Sequence, residues 1–380
     1  MHDRAALGPA EVSDAELTTM VASLLGHDPS EVSLLDSLAE RVAYDLPAIT
    51  TAGRYWVSGT ARTPAGDTTY RMFVKHIQAW HHSPLFQQLP PELREAAAAM
   101  VPWRTEHLAY RSDLGDRLPE GLSMPRAVGV FELPDDAVVV WLEEVAHPPV
   151  PWDLARYRRA ARLLGRMAAS PRVAVLGNVG ETDFTVRDYF TGRLGHQVLP
   201  LLRDDGIWHH PLLAATFDTE LRDRLRAAAD RAEAYVDELL SLPQANAHGD
   251  ASPNNLLPGP TPDSFVLIDY GFWVRETVGF DISQLVVGDI QIGKRSVADL
   301  PELDAACTSA YTAGLHEEGL DIEEAVVARS HALQLLIFTG LSTLPVELLD
   351  EPPTPRVEEL AASRAALARF SLDLVQATGG

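Results

Sequence analysis

The hydrophobic pattern opens with a helix. Leu17, Met20, Val21, Leu24 and Leu25 recur at helical spacing, and Ser13 and Glu16 stand three residues apart just before them. Residues 13–25 therefore read as an amphipathic helix with a capping box at its start. The period then changes. Tyr55-Trp56-Val57-Ser58-Gly59-Thr60 and Thr69-Tyr70-Arg71-Met72-Phe73-Val74-Lys75-His76-Ile77 are rich in β-formers and flank the turn cluster Pro64-Ala65-Gly66-Asp67. That arrangement predicts a hairpin within 50–78, with Lys75 near the end of its second strand. Residues 91–114 read as helix. Strands follow over 127–132 and 137–142, with Pro134-Asp135-Asp136 as the turn between them.

Glu143-Glu144-Val145-Ala146-His147-Pro148-Pro149-Val150-Pro151 interrupts both patterns. Three prolines in four residues continue neither a helix nor a strand. Beyond them the chain reads mostly as helix, over 154–169, 218–242, 301–315, 322–340 and 356–375. This divides it into a helical extension (1–45), a sheet-plus-helix unit (46–145) and a mainly helical unit (146–380). No internal repeat is visible.

One stretch of the helical unit is neither helical nor apolar. Ala247-His248-Gly249-Asp250-Ala251-Ser252-Pro253-Asn254-Asn255 is a loop, and Asn255-Leu256-Leu257 begins a short strand. A turn over 258–264 leads into Phe265-Val266-Leu267-Ile268-Asp269, a second short strand. Two strands across one turn pair antiparallel. The start of the first, Asn255, then lies beside the end of the second, Asp269, with Asp250 on the loop entering that end. Two carboxylates and a carboxamide gather at one mouth.

That donor set suits phosphoryl transfer. Magnesium prefers hard oxygen ligands and uses few protein groups plus substrate phosphates. Asn255 and Asp269 supply such oxygens, and Asp250 is placed to accept or orient the proton of an attacking hydroxyl. His248 could itself be the base, although a histidine two residues before such an aspartate more often holds the loop by hydrogen bonds. A metallohydrolase is disfavoured, because His81-His82 and His209-His210 are isolated pairs without carboxylates around them.

Composition narrows the rest. The chain has 380 residues, 31 basic against 54 acidic, for a net charge of −23. Such a field repels nucleic acid and anionic membranes; it favours a cationic small substrate, or simply keeps the protein in solution. Cys307 is the only cysteine, which excludes an internal disulfide and a cysteine-based zinc cluster. No run approaches the roughly 18 apolar residues of a membrane span, and a cytoplasmic protein is expected. Lys75 and Lys294 are the only lysines in an arginine-rich chain, so each is worth examining where arginine would not serve.

His248-Gly249-Asp250 through Asn255, with Ile268-Asp269-Tyr270-Gly271, resembles the aminoglycoside phosphotransferase and choline kinase-like family of the protein-kinase-like fold. The resemblance covers roughly residues 45–340. It implies an α+β, two-lobed fold with a small antiparallel-sheet N-lobe and a mainly helical C-lobe. It also implies ATP and magnesium as cofactors, with Asp250 as catalytic aspartate and Asn255 and Asp269 as metal ligands. Lys75 would contact the α- and β-phosphates, paired with Glu106 from a helix. Trp141-Leu142-Glu143-Glu144-Val145 would be the hinge, with Glu143 and Val145 binding adenine through their backbone. Asp281, in Gly279-Phe280-Asp281-Ile282-Ser283, would brace the catalytic loop together with His248.

The chain departs from that pattern in three places. Ser252 stands where many relatives carry histidine, and Tyr270-Gly271 follows Asp269 in a manner closer to protein kinases. No Gly-x-Gly-x-x-Gly precedes the first hairpin, so Thr50-Thr51-Ala52-Gly53 is either a phosphate-covering turn or a plain entry turn. Glu181 to Phe190 is an acidic and aromatic candidate for acceptor binding, or a solvated turn. The expected reaction is transfer of the γ-phosphoryl group of ATP to a hydroxyl of a small metabolite or antibiotic. Aminoglycosides, other antibiotics, amino sugars and amino alcohols are all open as acceptors. A pseudokinase-like nucleotide-binding module is the rival from another class. A protein kinase is disfavoured by the short path from Asp269 to Asp281.

Overall fold

The computed structural model describes residues 2–43, 49–84, 86–91, 94, 98, 101–146, 148–180 and 185–379. Residues 2–41, expected as a helical extension, hold one α-helix and three short strands that join the main sheet. The strands are β1 (His2–Asp3), β2 (Ser33–Leu34) and β3 (Ser37–Arg41). The helix is α1 (Asp14–Leu25), where Ser13 Oγ accepts from Glu16 N and Glu16 Oε2 accepts from Ser13 N.

The hairpin forms from β4 (Thr51–Thr63) and β5 (Gly66–Gln78), joined by a two-residue turn that pairs Thr63 with Gly66. Two further strands, β7 (Ala127–Leu133) and β8 (Ala137–Glu143), extend the sheet in the order β1-β3-β4-β5-β8-β7, with β2 on β4. Alternation along the strands gives the sheet two different faces. Tyr55, Val57, Met72, Val74, Val139 and Trp141 pack under Leu17, Met20 and Val21 of α1. Ile77, Val138, Val140 and Leu142 face the other way, into the main core. Lys75 shares that inner face with Ile77, two residues on.

Helix α2 (Thr105–Arg111) packs against this inner face at β7 and β8. It is shorter than the 91–114 expected, and half of 91–104 lies outside the described residues. The strand β6 (Leu122–Ser123) leaves the sheet unit and runs parallel to β11 (Phe265–Leu267) of the helical lobe. Among its described residues, the proline-rich segment after β8 has no regular structure up to residue 153.

The helical lobe starts with α3 (Leu154–Ala169), capped by Asp153 Oδ1 accepting from Arg156 N. The run expected over 218–242 is two helices, α4 (Thr219–Asp230) and α5 (Ala232–Ser241), broken where Arg231 takes ψ 0°. Neither glycine nor proline marks that break. Helices α6 (Phe280–Gln291), α7 (Leu300–Glu317), α8 (Glu324–Gln334) and α9 (Pro355–Thr378) complete the lobe. After α8 the chain passes through a π-helical turn, Leu335–Thr339, and a 3₁₀ turn, Gly340–Ser342, where a continuous helix was expected. The run Glu324–Leu348 is apolar enough by length and composition to cross a membrane, at mean hydropathy 1.2, contrary to the sequence reading. Two-thirds of it, 67%, is buried inside the lobe, as for a core helix.

Helices α3 and α7 meet backbone to backbone. A Cβ on Gly165 would stand 2.1 Å from Tyr311 O, and one on Gly314 would stand 2.0 Å from Arg162 O. Only glycine allows that approach. Gly165→Ala is expected to force the helices apart and to cost roughly 1–3 kcal/mol, the scale of overpacking. Denaturant unfolding of the variant would read it.

Candidate active site

The site grows from two short antiparallel pairs. Strand β9 (Gln244–Ala247) pairs with β12 (Val274–Thr277), and β10 (Leu256–Pro258) pairs with β11. Between β9 and β10 runs the loop with Gly249 and Asp250. Gly249 has φ +86°, and a Cβ there would stand 1.9 Å from Phe272 O, so glycine is required twice over. The loop is held from below by α6. Asp281, 1% exposed, accepts from His248 N through Oδ2 and from Gly249 N through Oδ1, both at 2.9 Å. Burial raises this carboxyl to about 6, while the two amides oppose the rise.

His248 is fully buried and both ring nitrogens are used locally. Nε2 lies 3.0 Å from Ile268 O, and Nδ1 accepts a long bond from Asp250 N. Its ring packs against Tyr270 at 5.0 Å. Burial lowers its pKa to about 4, so the ring is neutral at pH 7.

Asn255 sits in a 3₁₀ turn just before β10 rather than within it, and Asp269 lies two residues past β11. The pairing still brings them to one end, because Asn255 O accepts from Ile268 N at 3.1 Å. Asn255 Nδ2 donates to Asp250 O at 2.8 Å and to Asp250 Oδ2 at 2.9 Å. Asp269 takes a left-handed conformation, φ 65°, and its Oδ1 accepts from Lys75 Nζ at 2.8 Å. The same ammonium donates to Glu106 Oε2 at 2.5 Å. Lys75 and Glu106 are 5% and 4% exposed, so this is a buried bridge from β5 and α2 to the helical lobe.

Charge is out of balance here. Burial would lower Lys75, but Glu106 and Asp269 outweigh it and hold the ammonium charged, above its ordinary value. Asp269 is held below the usual carboxylate range; burial raises it, and Lys75 wins. Burial raises Glu106 to about 7 against the pull of Lys75. Burial and the nearby Asp269 raise Asp250 to about 6. Anionic oxygen is in excess at this mouth, which is what a divalent cation compensates. Among the described residues no group of three or more His, Cys, Asp or Glu is arranged to hold a metal.

Glu143 and Val145 stand where β8 ends. Val140 pairs with Lys75, so Glu143 lies about 10 Å further along the strand. Glu143 N donates to Arg126 O at 3.0 Å, and its side chain accepts from Arg126 N at 2.9 Å. Thr51–Gly53 is not a turn but the start of β4, with a register shift between Thr51 and Gly53. Of the acidic and aromatic stretch, residues 181–184 lie outside the described residues. Tyr189 stacks on Phe338 at 4.4 Å, and Phe338 meets Phe280 edge-on at 5.3 Å. Lys294 Nζ donates to Asn254 Oδ1 at 3.0 Å on the outside of the loop. A surface groove of about 880 Å³ between α3 and α7, lined by Arg158, Arg162, Glu302 and Glu317, contains none of these groups.

No protein-family model matches the chain, and no curated protein matches it by sequence. Solved structures do. An aminoglycoside phosphotransferase from Alicyclobacillus acidocaldarius is 15% identical over 90% of this chain and 92% of that one, with a TM-score of 0.50. The chain has the protein-kinase-like fold. A choline/ethanolamine kinase family protein from Mesorhizobium loti matches at 14% identity, 89% and 92% coverage and a TM-score of 0.47. An amicoumacin kinase matches at 13% identity, 93% and 92% coverage and a TM-score of 0.44.

Sequence reasoning passed over Arg54, which pairs across the hairpin with Lys75. The signal was present, because a two-residue turn fixes every pair above it. Tyr270, noted in the sequence only for following Asp269, has a buried ring that contacts both His248 and Tyr110. The motif gives no sign of that packing.

The raised carboxyls make a pH prediction. Each has a folded pKa above its unfolded value near 4, so its contribution is fully present below that value and is lost as pH rises through about 6 to 7. Thermal unfolding of the free protein is expected to shift upward between pH 8 and pH 5.5. Asp250→Asn should raise the midpoint at pH 8 and shrink that shift.

Proposed function

We propose that this protein is an ATP-dependent small-molecule kinase that transfers the γ-phosphoryl group to a hydroxyl acceptor. The observation that carries the reading is the Lys75 ammonium shared between Glu106 and Asp269, beside an Asp250 tied to Asn255. Lys75, Asp250, Asn255 and Asp269 are residue types suited to hold and transfer a phosphoryl group.

Asp269 and Asn255 fit magnesium by donor chemistry. One Asp269 oxygen bonds Lys75, which leaves Oδ2, and Asn255 commits its amide nitrogen to Asp250, which leaves the carbonyl oxygen. The ion, when bound, would neutralise charge on the β- and γ-phosphates. Lys75, oriented by Glu106, binds the α- and β-phosphates. The Glu143 amide is occupied by Arg126 O, so the Glu143 carbonyl and the Val145 backbone are the groups assigned to adenine. Asp250 receives or orients the acceptor's hydroxyl proton. A carboxyl raised to about 6 is a stronger base than an ordinary aspartate and is still mostly ionised at pH 7. His248 and Asp281 position the loop, since both are buried and committed to backbone partners.

The net charge of −23 and the excess of carboxylate at the mouth favour a cationic acceptor, and ATP as donor places the reaction in the cytoplasm. A coupled ADP-release screen over aminoglycosides, other antibiotics, amino sugars and amino alcohols is the test. Nucleotide binding without turnover on any of them would favour a binding module instead. Asp250→Asn should lower turnover by roughly 10²-fold or more with nucleotide affinity little changed. Asp269→Ala should weaken nucleotide binding only when magnesium is present, as read by calorimetry with and without the metal.

A further inference from the structure

The inner face of the hairpin is laid out in rows. Arg54 pairs directly with Lys75, Trp56 with Phe73 and Ser58 with Arg71. Tyr55 and Val57 are buried beneath α1 on the outer face, so Arg54 and Trp56 stand on the inner one. Contacts agree with that assignment. The Trp56 and Phe73 rings meet at 5.2 Å, and Arg71 stacks on Trp56 at 3.9 Å while pairing with Glu144 at 2.5 Å. Moving inward from Arg71, the face is aromatic at Trp56 and Phe73, then doubly cationic at Arg54 and Lys75, where it meets Asp269.

Directly opposed residues of an antiparallel pair have Cβ atoms roughly 5 Å apart, so two cations share one small area of the inner face. The Arg54 charge also reaches Glu106 and Asp269, where it favours the ionised forms. The connection between β3 and β4, residues 42–50, contains no glycine. A phosphate cradle made of successive backbone amides depends on the left-handed conformations that glycine supplies. The strand contributes a guanidinium instead, which can grip phosphate oxygens two at a time.

Building on the nucleotide reading above, we infer that Arg54 is a second phosphate-binding cation. With Lys75 it forms a clamp, one cation from each strand of the hairpin, on the polyphosphate of the donor. The aromatic row beside it roofs the base. Arg54 therefore selects for the length of the phosphate chain and takes over the task of a glycine-rich loop.

The test is calorimetric binding of ATP, ADP and AMP with magnesium to the full chain, as wild type, Arg54→Ala and Arg54→Gln. Wild type is expected to prefer ATP to AMP. Either variant should lose on the order of tenfold to a hundredfold in ATP affinity, the scale of a charge-assisted bond, while AMP affinity stays within about twofold. Arg54→Gln keeps a polar, partly aliphatic side chain without the charge and decides the matter if Arg54→Ala does not fold. A variant that keeps the wild-type ratio of ATP to AMP affinity overturns the clamp and leaves the kinase reading standing. A wild type with no preference for ATP overturns both.

Discussion

A single ammonium group ties the chemistry of the two lobes together. Lys75 is one of two lysines in the chain, and it is buried. A buried charge is costly unless it is paired, and here the partners come from different places: Glu106 from α2 and Asp269 from the loop after β11. Removing either carboxylate would leave the ammonium short of a partner, at a typical cost of about 3–5 kcal/mol. The electrostatics that stabilise Lys75 thus also fix where Asp269 stands relative to the sheet.

The loop through Gly249 obeys a related rule. Its amides at His248 and Gly249 are paid for by Asp281, and the histidine ring spans the gap to Ile268. Asp250 is left with only Asn255 as a side-chain partner among the described residues. The supporting groups are fully committed, while the group assigned to the chemistry retains capacity to accept a proton. Burial applies to all of them, but hydrogen bonding decides which are free to react.

Much of this was legible in the sequence because the loop depends on residues with special geometry. Gly249, Pro253, Asn255 and Asp269 mark turns, and short apolar runs between them mark strands. The hairpin was equally readable, since its turn cluster interrupts two runs of β-formers. Other parts were silent for physical reasons. Strands of two residues, such as β1 and β2, are too short to show alternation. The run Ala137 to Leu142 does not alternate, because α1 covers one face of the sheet and the main core covers the other. The break at Arg231 and the π turn after α8 carry no glycine or proline and are set by packing. Glu106 was placed by its helix, but its pairing with Lys75 is a contact between distant segments that periodicity does not encode.

Position 269 also constrains how such a chain can decay. Its backbone is left-handed, a conformation tolerated by glycine, asparagine and aspartate and by few other residues. A charge-removing change is therefore cheapest as Asp269→Asn, which keeps the turn and gives up one of the two carboxylates on Lys75. Most other substitutions would strain the backbone as well. Asparagine and glycine keep the turn but leave the buried ammonium short of a partner. One position thus answers to two demands at once, a backbone that admits few residue types and a buried cation that admits only those with a carboxylate, and aspartate satisfies both.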